Sequence, residues 1–120
     1  MNYRHAKLSE INKLNAFIRS SKGYWSYSDS FLDYFMEKWG LTSSHFQHSE
    51  IVLIEENDIL YGLFAFKMNA ANNPELDLFF INPNFIRQGI GKIMWQTAEV
   101  LTHYGDVNDG MKIMRYRLPV

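Results

Sequence analysis

The segment Glu75-Leu76-Asp77-Leu78-Phe79-Phe80-Ile81 runs directly into Asn82-Pro83-Asn84-Phe85-Ile86-Arg87-Gln88-Gly89-Ile90-Gly91-Lys92. An apolar strand, a proline break and a glycine loop open a helix whose buried stripe is Ile90, Ile93, Met94, Thr97, Ala98 and Leu101. Proline cannot donate to a ladder, so Asn82-Pro83-Asn84 ends the strand. A strand handed over to a helix this abruptly calls for sheet and helix layers in one fold. The first amides of such a helix have no partner within it, and the helix dipole adds partial positive charge there. A phosphate is the natural ligand for that arrangement. Gly89 and Gly91 carry no side chain, so an anion can approach the backbone, and Arg87 and Lys92 can add charge from the side.

The remaining chain supplies layers to match. Tyr3 to His5 reads as a short strand, followed by a helix with Leu8, Ile11, Leu14, Phe17 and Ile18 at helical spacing. Ser9 is the expected N-cap and Ser20-Ser21-Lys22-Gly23 the expected break. A second helix begins after Ser28 or Ser30, with Phe31, Leu32, Phe35, Met36 and Trp39 as its stripe. Gly40 is expected to end it in a left-handed conformation, with a loop from Leu41 to Ser49. Ile51 to Ile54 and Ile59 to Lys67 read as a hairpin about the turn Glu55-Glu56-Asn57-Asp58. After a polar connection from Asn69 to Pro74, the strand Glu75 to Ile81 is expected to point Leu76, Leu78 and Phe80 one way. Tyr104-Gly105-Asp106 ends the last helix, and Met111 to Leu118 alternates as a final strand. The order β-α-α-β-β-β-α-β predicts one mixed α+β domain spanning residues 1–120.

Composition narrows the partners. The 120 residues are 47% apolar and 16% aromatic, enough to build a core without staples. No cysteine is present, which excludes disulfides, thiolate catalysis and sulfur-ligated metals. The formal net charge of −1 gives no basic footprint for nucleic acid, and the excess in Lys112-Ile113-Met114-Arg115-Tyr116-Arg117 reads as a solvated strand face. No apolar run reaches the roughly 20 residues of a membrane-spanning helix, and Met1-Asn2-Tyr3-Arg4-His5 does not begin a signal peptide. A cytoplasmic protein without a membrane or nucleic-acid partner is expected. His45 and His48 have ligand-like spacing but no evident third ligand, so no metal is expected.

Three kinds of phosphate loop share the logic at Gly89. A Walker loop needs Ser or Thr where Ile93 stands and Gly where Ile86 stands. A dinucleotide loop needs a third glycine where Met94 stands, and the βαβ repeat is missing. The segment Ile86-Arg87-Gln88-Gly89-Ile90-Gly91 resembles the acyl-CoA loop of the GNAT acetyltransferase superfamily, [QR]-x-x-G-x-[GA], with Ile86 where the family usually carries Gln or Arg. The flanks agree: Glu75 to Pro83 looks like the family's fourth strand, and Ser21-Lys22-Gly23-Tyr24-Trp25-Ser26-Tyr27 looks like the substrate-side segment of a subgroup of its uncharacterised members.

The resemblance implies a GNAT-like, mostly antiparallel sheet flanked by helices. It implies transfer of an acetyl group from acetyl-CoA to a primary amine of unspecified identity by direct attack on the thioester. The pantetheine arm would run beside Phe79, Phe80 and Ile81, and the pyrophosphate would sit on the amides of Arg87, Gln88, Gly89, Ile90, Gly91 and Lys92. Glu75 is the implied base, with Asp77 a weaker candidate, because the family often places a carboxylate on this strand. Tyr24, Trp25 and Tyr27 would wall the acceptor pocket. Family members normally continue through a strand, a helix carrying an Asn and a Tyr, and a closing hairpin. The tail from Gly105 to Val120 has Tyr116 but nothing like that helix, which is read as loss of the C-terminal subdomain. Such a loss would expose a sheet edge, which is a template for pairing, so a homodimer is expected. The competing reading is a catalytically impaired CoA-binding or protein-interaction domain.

Overall fold

The computed structural model describes residues 1–68, 70–71, 73–103 and 116–117. The elements are β1 (Asn2–His5), α1 (Ile11–Gly23), α2 (Asp29–Trp39), α3 (Ser43–His48), β2 (Glu50–Glu56), β3 (Ile59–Met68), β4 (Pro74–Ile81), α4 (Ile90–His103) and β5 (Tyr116–Arg117). They form an antiparallel sheet in the order β4-β3-β2-β1-β5. This is the α+β architecture expected from the sequence.

The β2–β3 hairpin is buried on both faces. Val52 and Ile54 of β2 join Phe64 and Phe66 of β3 under Ile90, Met94, Ala98 and Leu101 of α4. The alternate residues, Ile51, Leu53, Leu63 and Ala65, turn the other way against Leu14 and Ile18 of α1, Leu41 and Leu78. Successive side chains of a strand point to opposite faces, so a continuous apolar run feeds two cores. Asn57 and Asp58 both adopt left-handed φ, 52° and 65°, the geometry that lets a tight turn follow the twist of its strands. At Gly62 a Cβ would overlap the Met94 sulfur, so glycine here lets α4 lie close on the sheet.

Several local expectations are corrected. A 3-10 turn, Leu8–Glu10, precedes α1, and the Glu10 carboxylate, not Ser9, accepts the Lys7 amide at 2.8 Å. The helix does not break at Ser20. It runs to Gly23, with Ser21 buried and Gly23 close against Leu32 of α2. Ser28 caps α2 by accepting from the Phe31 amide. Gly40 follows α2 in an extended conformation, φ −66° and ψ 159°, and is required because a Cβ would lie 2.5 Å from the Met36 carbonyl oxygen. The expected loop from Leu41 to Ser49 contains α3, whose first turn is closed by His45 Nδ1 accepting the Thr42 amide at 3.0 Å.

The largest correction concerns β4. Its ladder with β3 steps from Ala65 opposite Leu78 to Phe66 opposite Leu76, so Asp77 is an inserted bulge residue. The bulge reverses the facing of what precedes it. Leu78 and Phe80 pack toward α1, whereas Leu76 lines a gap toward α4 with Phe66 and Trp95. Leu76, Leu78 and Phe80 therefore do not share a face. Of the expected last strand, Tyr116 and Arg117 pair with Tyr3 and Asn2; its other residues, and Tyr104-Gly105-Asp106, lie outside the described residues.

One charged network ties β1, the first turn and β2 together. The Arg4 guanidinium donates to both Glu10 carboxylate oxygens at 3.0 and 2.8 Å and through Nε to Glu55 at 2.8 Å. The side chains are mostly shielded, with Arg4 19% and Glu10 16% exposed. The Arg4 hydrogen bonds, against the cost of burial and with help from the Lys7 amide, lower the Glu10 pKa to about 2. Because the folded value lies below the unfolded one, the stabilisation is complete above the unfolded carboxylate range and fades as pH falls toward 2. Glu10→Gln is expected to destabilise the fold by about 2 kcal/mol at neutral pH. In urea melts that gap should close between roughly pH 4.5 and 2; a gap independent of pH would refute the account. Gly62→Ala should cost about 1–3 kcal/mol through overpacking against Met94. Adding Met94→Ala should make the two losses less than additive in a double-mutant cycle.

Candidate functional site

The loop between β4 and α4 is anchored by Asn82. Its amide donates to the Tyr61 carbonyl at 2.9 Å, its Nδ2 to the Leu60 carbonyl at 2.9 Å, and its Oδ1 accepts the Asn84 amide at 3.0 Å. A 3-10 turn over Pro83–Phe85 follows, and the Phe85 ring rests on Tyr61 with centroids 4.5 Å apart. Tyr61 is itself a bulge residue, skipped where the β2–β3 ladder steps from Gly62 to Leu60. The end of β4 is thus fixed to the start of β3 before the glycine loop begins.

The loop then turns through left-handed φ twice, at Arg87 (69°) and Gly89 (83°). A non-glycine residue in that region costs energy unless its surroundings hold it, and such strain collects at functional loops. The first intrahelical bond of α4 runs from the Ile93 amide to the Gly89 carbonyl at 3.2 Å. The amides of Ile90, Gly91 and Lys92 precede that bond and are available to an anion. A Cβ at Gly89 would meet nothing within 4 Å, so the space before these amides is open. Gly91 serves packing instead, since a Cβ there would press on Ile81 Cδ1 at 3.1 Å. Arg87, Gln88 and Lys92 are exposed around the opening, and neither cation has an ion pair among the described residues.

Beside this loop lies a cavity of about 300 Å³, bounded by Ser21, Lys22 and Trp25 on one side and by Phe79, Phe80, Ile81 and Ile86 on the other. Four expected site residues, Trp25, Phe79, Phe80 and Ile81, therefore meet around one space. Tyr24 and Tyr27 do not line it. Tyr24 meets the Trp25 ring edge-on at 4.9 Å, and Tyr27 stacks on Phe31 at 4.4 Å. Glu75 is exposed at the far end of β4, opposite Lys67. Phe79 lies four residues further along the chain, roughly 13 Å of strand. Ser21, Lys22 and Ile86 join them; none is singled out by the sequence as a site residue, although Ser21 and Lys22 belong to the expected substrate-side segment and Ile86 to the loop motif. Helical spacing carried one turn beyond Phe17 and Ile18 finds Ser21 and Lys22.

β4 is the edge of the sheet, with no strand on its outer side among the described residues. Alternate residues of an edge strand turn amide and carbonyl groups outward, free to pair with an extended ligand or chain. A second, polar cleft of about 240 Å³ lies between α3 and the start of β4, where His45 Nε2 is 3.9 Å from the Asp77 carboxylate beside His48 and Lys67. Among the described residues, no three side chains of the metal-binding types are grouped to hold an ion, and no helix is long and apolar enough to cross a membrane.

The fold is shared with solved structures. The PaiA N-acetyltransferase from Thermoplasma acidophilum, in complex with coenzyme A, superposes with a TM-score of 0.73 at 17% identity, over 89% of this chain and 75% of that one. A GNAT family acetyltransferase from Staphylococcus aureus gives 0.54 at 18% identity, over 85% and 77% of the two chains. The aminoglycoside 6′-N-acetyltransferase AAC(6′)-Ig from Acinetobacter haemolyticus gives 0.55 at 13% identity, over 88% and 74%. At these identities the likeness is one of fold. No curated protein sequence matches the chain. The model of the Acetyltransferase (GNAT) family matches residues 13–107, which run from the first turn of α1 through α4 and include the whole glycine loop, and the chain belongs to that family.

Proposed function

We propose that this chain transfers the acetyl group of acetyl-CoA to a primary amine by direct attack on the thioester. The observation that carries the reading is the meeting of three elements at one end of β4: open helix amides at Gly89, an edge strand and an apolar cavity. The GNAT match and the coenzyme A-bound structural neighbour support the same cosubstrate.

The proposed roles follow from that arrangement. The pyrophosphate sits on the amides from Arg87 to Lys92, with the Arg87 and Lys92 side chains adding charge at the rim. The pantetheine arm pairs with the outer edge of β4 along Phe79, Phe80 and Ile81 as an added strand would. The thioester then reaches the cavity, where Trp25 forms part of the acceptor wall and Tyr24 supports its ring from behind. Tyr27 acts one step further back, through Lys22, whose ammonium lies 4.9 Å from the Tyr27 ring centroid.

The neutral amine attacks the carbonyl carbon, a C–N bond forms, and the oxyanion is held by a β4 amide. The C–S bond then breaks, the thiolate leaves as coenzyme A and takes a proton, and the nitrogen loses one. Glu75 is the proposed acceptor of the nitrogen's proton, reached along β4 through water. A cytoplasmic location and a homodimer through an exposed sheet edge belong to the same proposal, the second confined to the part of the β4 edge before Phe79 that the pantetheine arm leaves unpaired.

Calorimetric titration with acetyl-CoA tests the cosubstrate site. Wild type should bind, and Gly89→Glu should lose binding, because the side chain and its charge occupy the open space where the pyrophosphate lies. Gly89→Asn, which tolerates left-handed φ, should fold normally and bind more weakly than wild type. Equal binding by all three proteins would overturn the phosphate-loop assignment. Glu75→Gln should lower kcat by about 10² or more while acetyl-CoA affinity holds. Unchanged turnover would remove Glu75 from the mechanism, and binding without turnover by wild type would favour a non-catalytic CoA-binding domain.

A further inference from the structure

Lys22 is half-buried in the last turn of α1 and lines the cavity at the end of β4. Its ammonium is held between two aromatic rings, 4.9 Å from the Tyr27 centroid and 5.0 Å from that of Phe35. Long cationic side chains normally carry the charge out to water or to a carboxylate. Lys22 does neither fully: it has no ion pair among the described residues. The other groups around the cavity, Ser21, Trp25, Phe79, Phe80, Ile81 and Ile86, carry no charge. The space therefore has an apolar body, one buried hydroxyl residue and a single uncompensated positive charge at a fixed position.

Such a lining selects among amines. A polycationic acceptor would bring like charge against Lys22 with no carboxylate in the wall to offset it, and like charges in a desolvated site repel strongly. An acceptor bearing an anion would pair with it in a charge-assisted contact. One ammonium balances the single charge of a carboxylate, whereas a phosphate monoester carries nearly two negative charges at neutral pH and would be left partly uncompensated here. We propose that the acceptor is a primary amine carrying a carboxylate on an apolar body, and that Lys22 is the residue that binds that carboxylate. The inference rests on the acetyl-transfer reading above.

The test compares matched acceptors, straight-chain ω-amino acids and their carboxamides, in an assay of coenzyme A thiol release. The ratio of kcat/KM for acid over amide is measured in wild type, Lys22→Met and Lys22→Arg. Intrinsic amine reactivity cancels when the ratio is compared between proteins. Methionine keeps the packing on Tyr27 and Phe35 while removing the charge; Lys22→Gln serves if that variant does not fold. The ratio should exceed one in wild type, fall about tenfold or more without the charge, and be largely retained in Lys22→Arg. A ratio that the charge-removing variant leaves unchanged, a wild-type preference for the amide or for spermidine, or no turnover of any acid by a protein that binds acetyl-CoA would each overturn the proposal. Calorimetry separates the two levels: wild type that does not bind acetyl-CoA overturns the acetyl-transfer reading and this proposal with it. Binding with the wrong acceptor preference overturns only the role of Lys22.

Discussion

Everything in this molecule is referred to a hairpin that has no solvent face. β2 and β3 must satisfy two cores at once, so their register admits no slip: a shift of one residue would send Val52, Ile54, Phe64 and Phe66 to the wrong helix. The left-handed pair Asn57-Asp58 closes the hairpin in the one register that both cores accept. Gly62 extends the same constraint to the site. It lies opposite Ile81, the last residue of β4, and its missing side chain lets Met94 and α4 settle onto the sheet there. Gly91 does the equivalent from the helix side against Ile81. The N-terminus of α4 is thereby held over the end of β4, which is why amides and cavity meet.

The site forms where the regular ladder is interrupted. The bulge at Tyr61 places its carbonyl under Asn82 and its ring under Phe85, which fixes the loop. The bulge at Asp77 divides β4 into two functional halves. Beyond it, Phe79, Phe80 and Ile81 line the apolar cavity; before it, Asp77 reaches the polar cleft at His45 and Glu75 lies exposed beside Lys67. Bulges near barrel rims and active sites re-aim side chains in this way, and here one inserted residue separates an apolar end of the strand from an acidic one.

Much of this was legible in the sequence, for identifiable reasons. The hairpin declared itself as two apolar runs about the turn residues Glu55 to Asp58, though not its burial on both faces, and the strand–loop–helix segment around Gly89 as an apolar run, a proline and paired glycines. What stayed hidden depended on partners remote in the chain. The bulge at Asp77 is a property of the pairing with β3, and the strand Glu75 to Ile81 read alone alternates without fault. The last turn of α1 looked like a break because Ser20-Ser21-Lys22-Gly23 has weak helix formers, yet packing against α2 overrides propensity and carries Ser21 and Lys22 into the cavity wall. The six residues of α3 have too little length to show a period. Tyr24, Trp25 and Tyr27 share one short segment, but the chain turns at Ser26, whose φ is 66°, and Tyr27 stacks on Phe31, while Tyr24 at the end of α1 meets the Trp25 ring edge-on.

That same turn accounts for the electrostatics of the cavity. Because the chain reverses at Ser26, Tyr27 and Phe35 of the following segment come back to flank Lys22 and hold its ammonium in place. Two carboxylates of α2 face Arg19 instead: Asp33 accepts from it at 2.7 Å, and Asp29 lies 3.9 Å from the same guanidinium. The positive charge is therefore left facing the cavity, while the nearest acidic groups of β4 lie behind the bulge. In the proposed reaction this polarity gives the acceptor a direction. A carboxylate drawn to Lys22 leaves the attacking nitrogen toward β4, and the proton it sheds is drawn along the strand toward Asp77 and Glu75, its release aided by the cation at the other end of the acceptor.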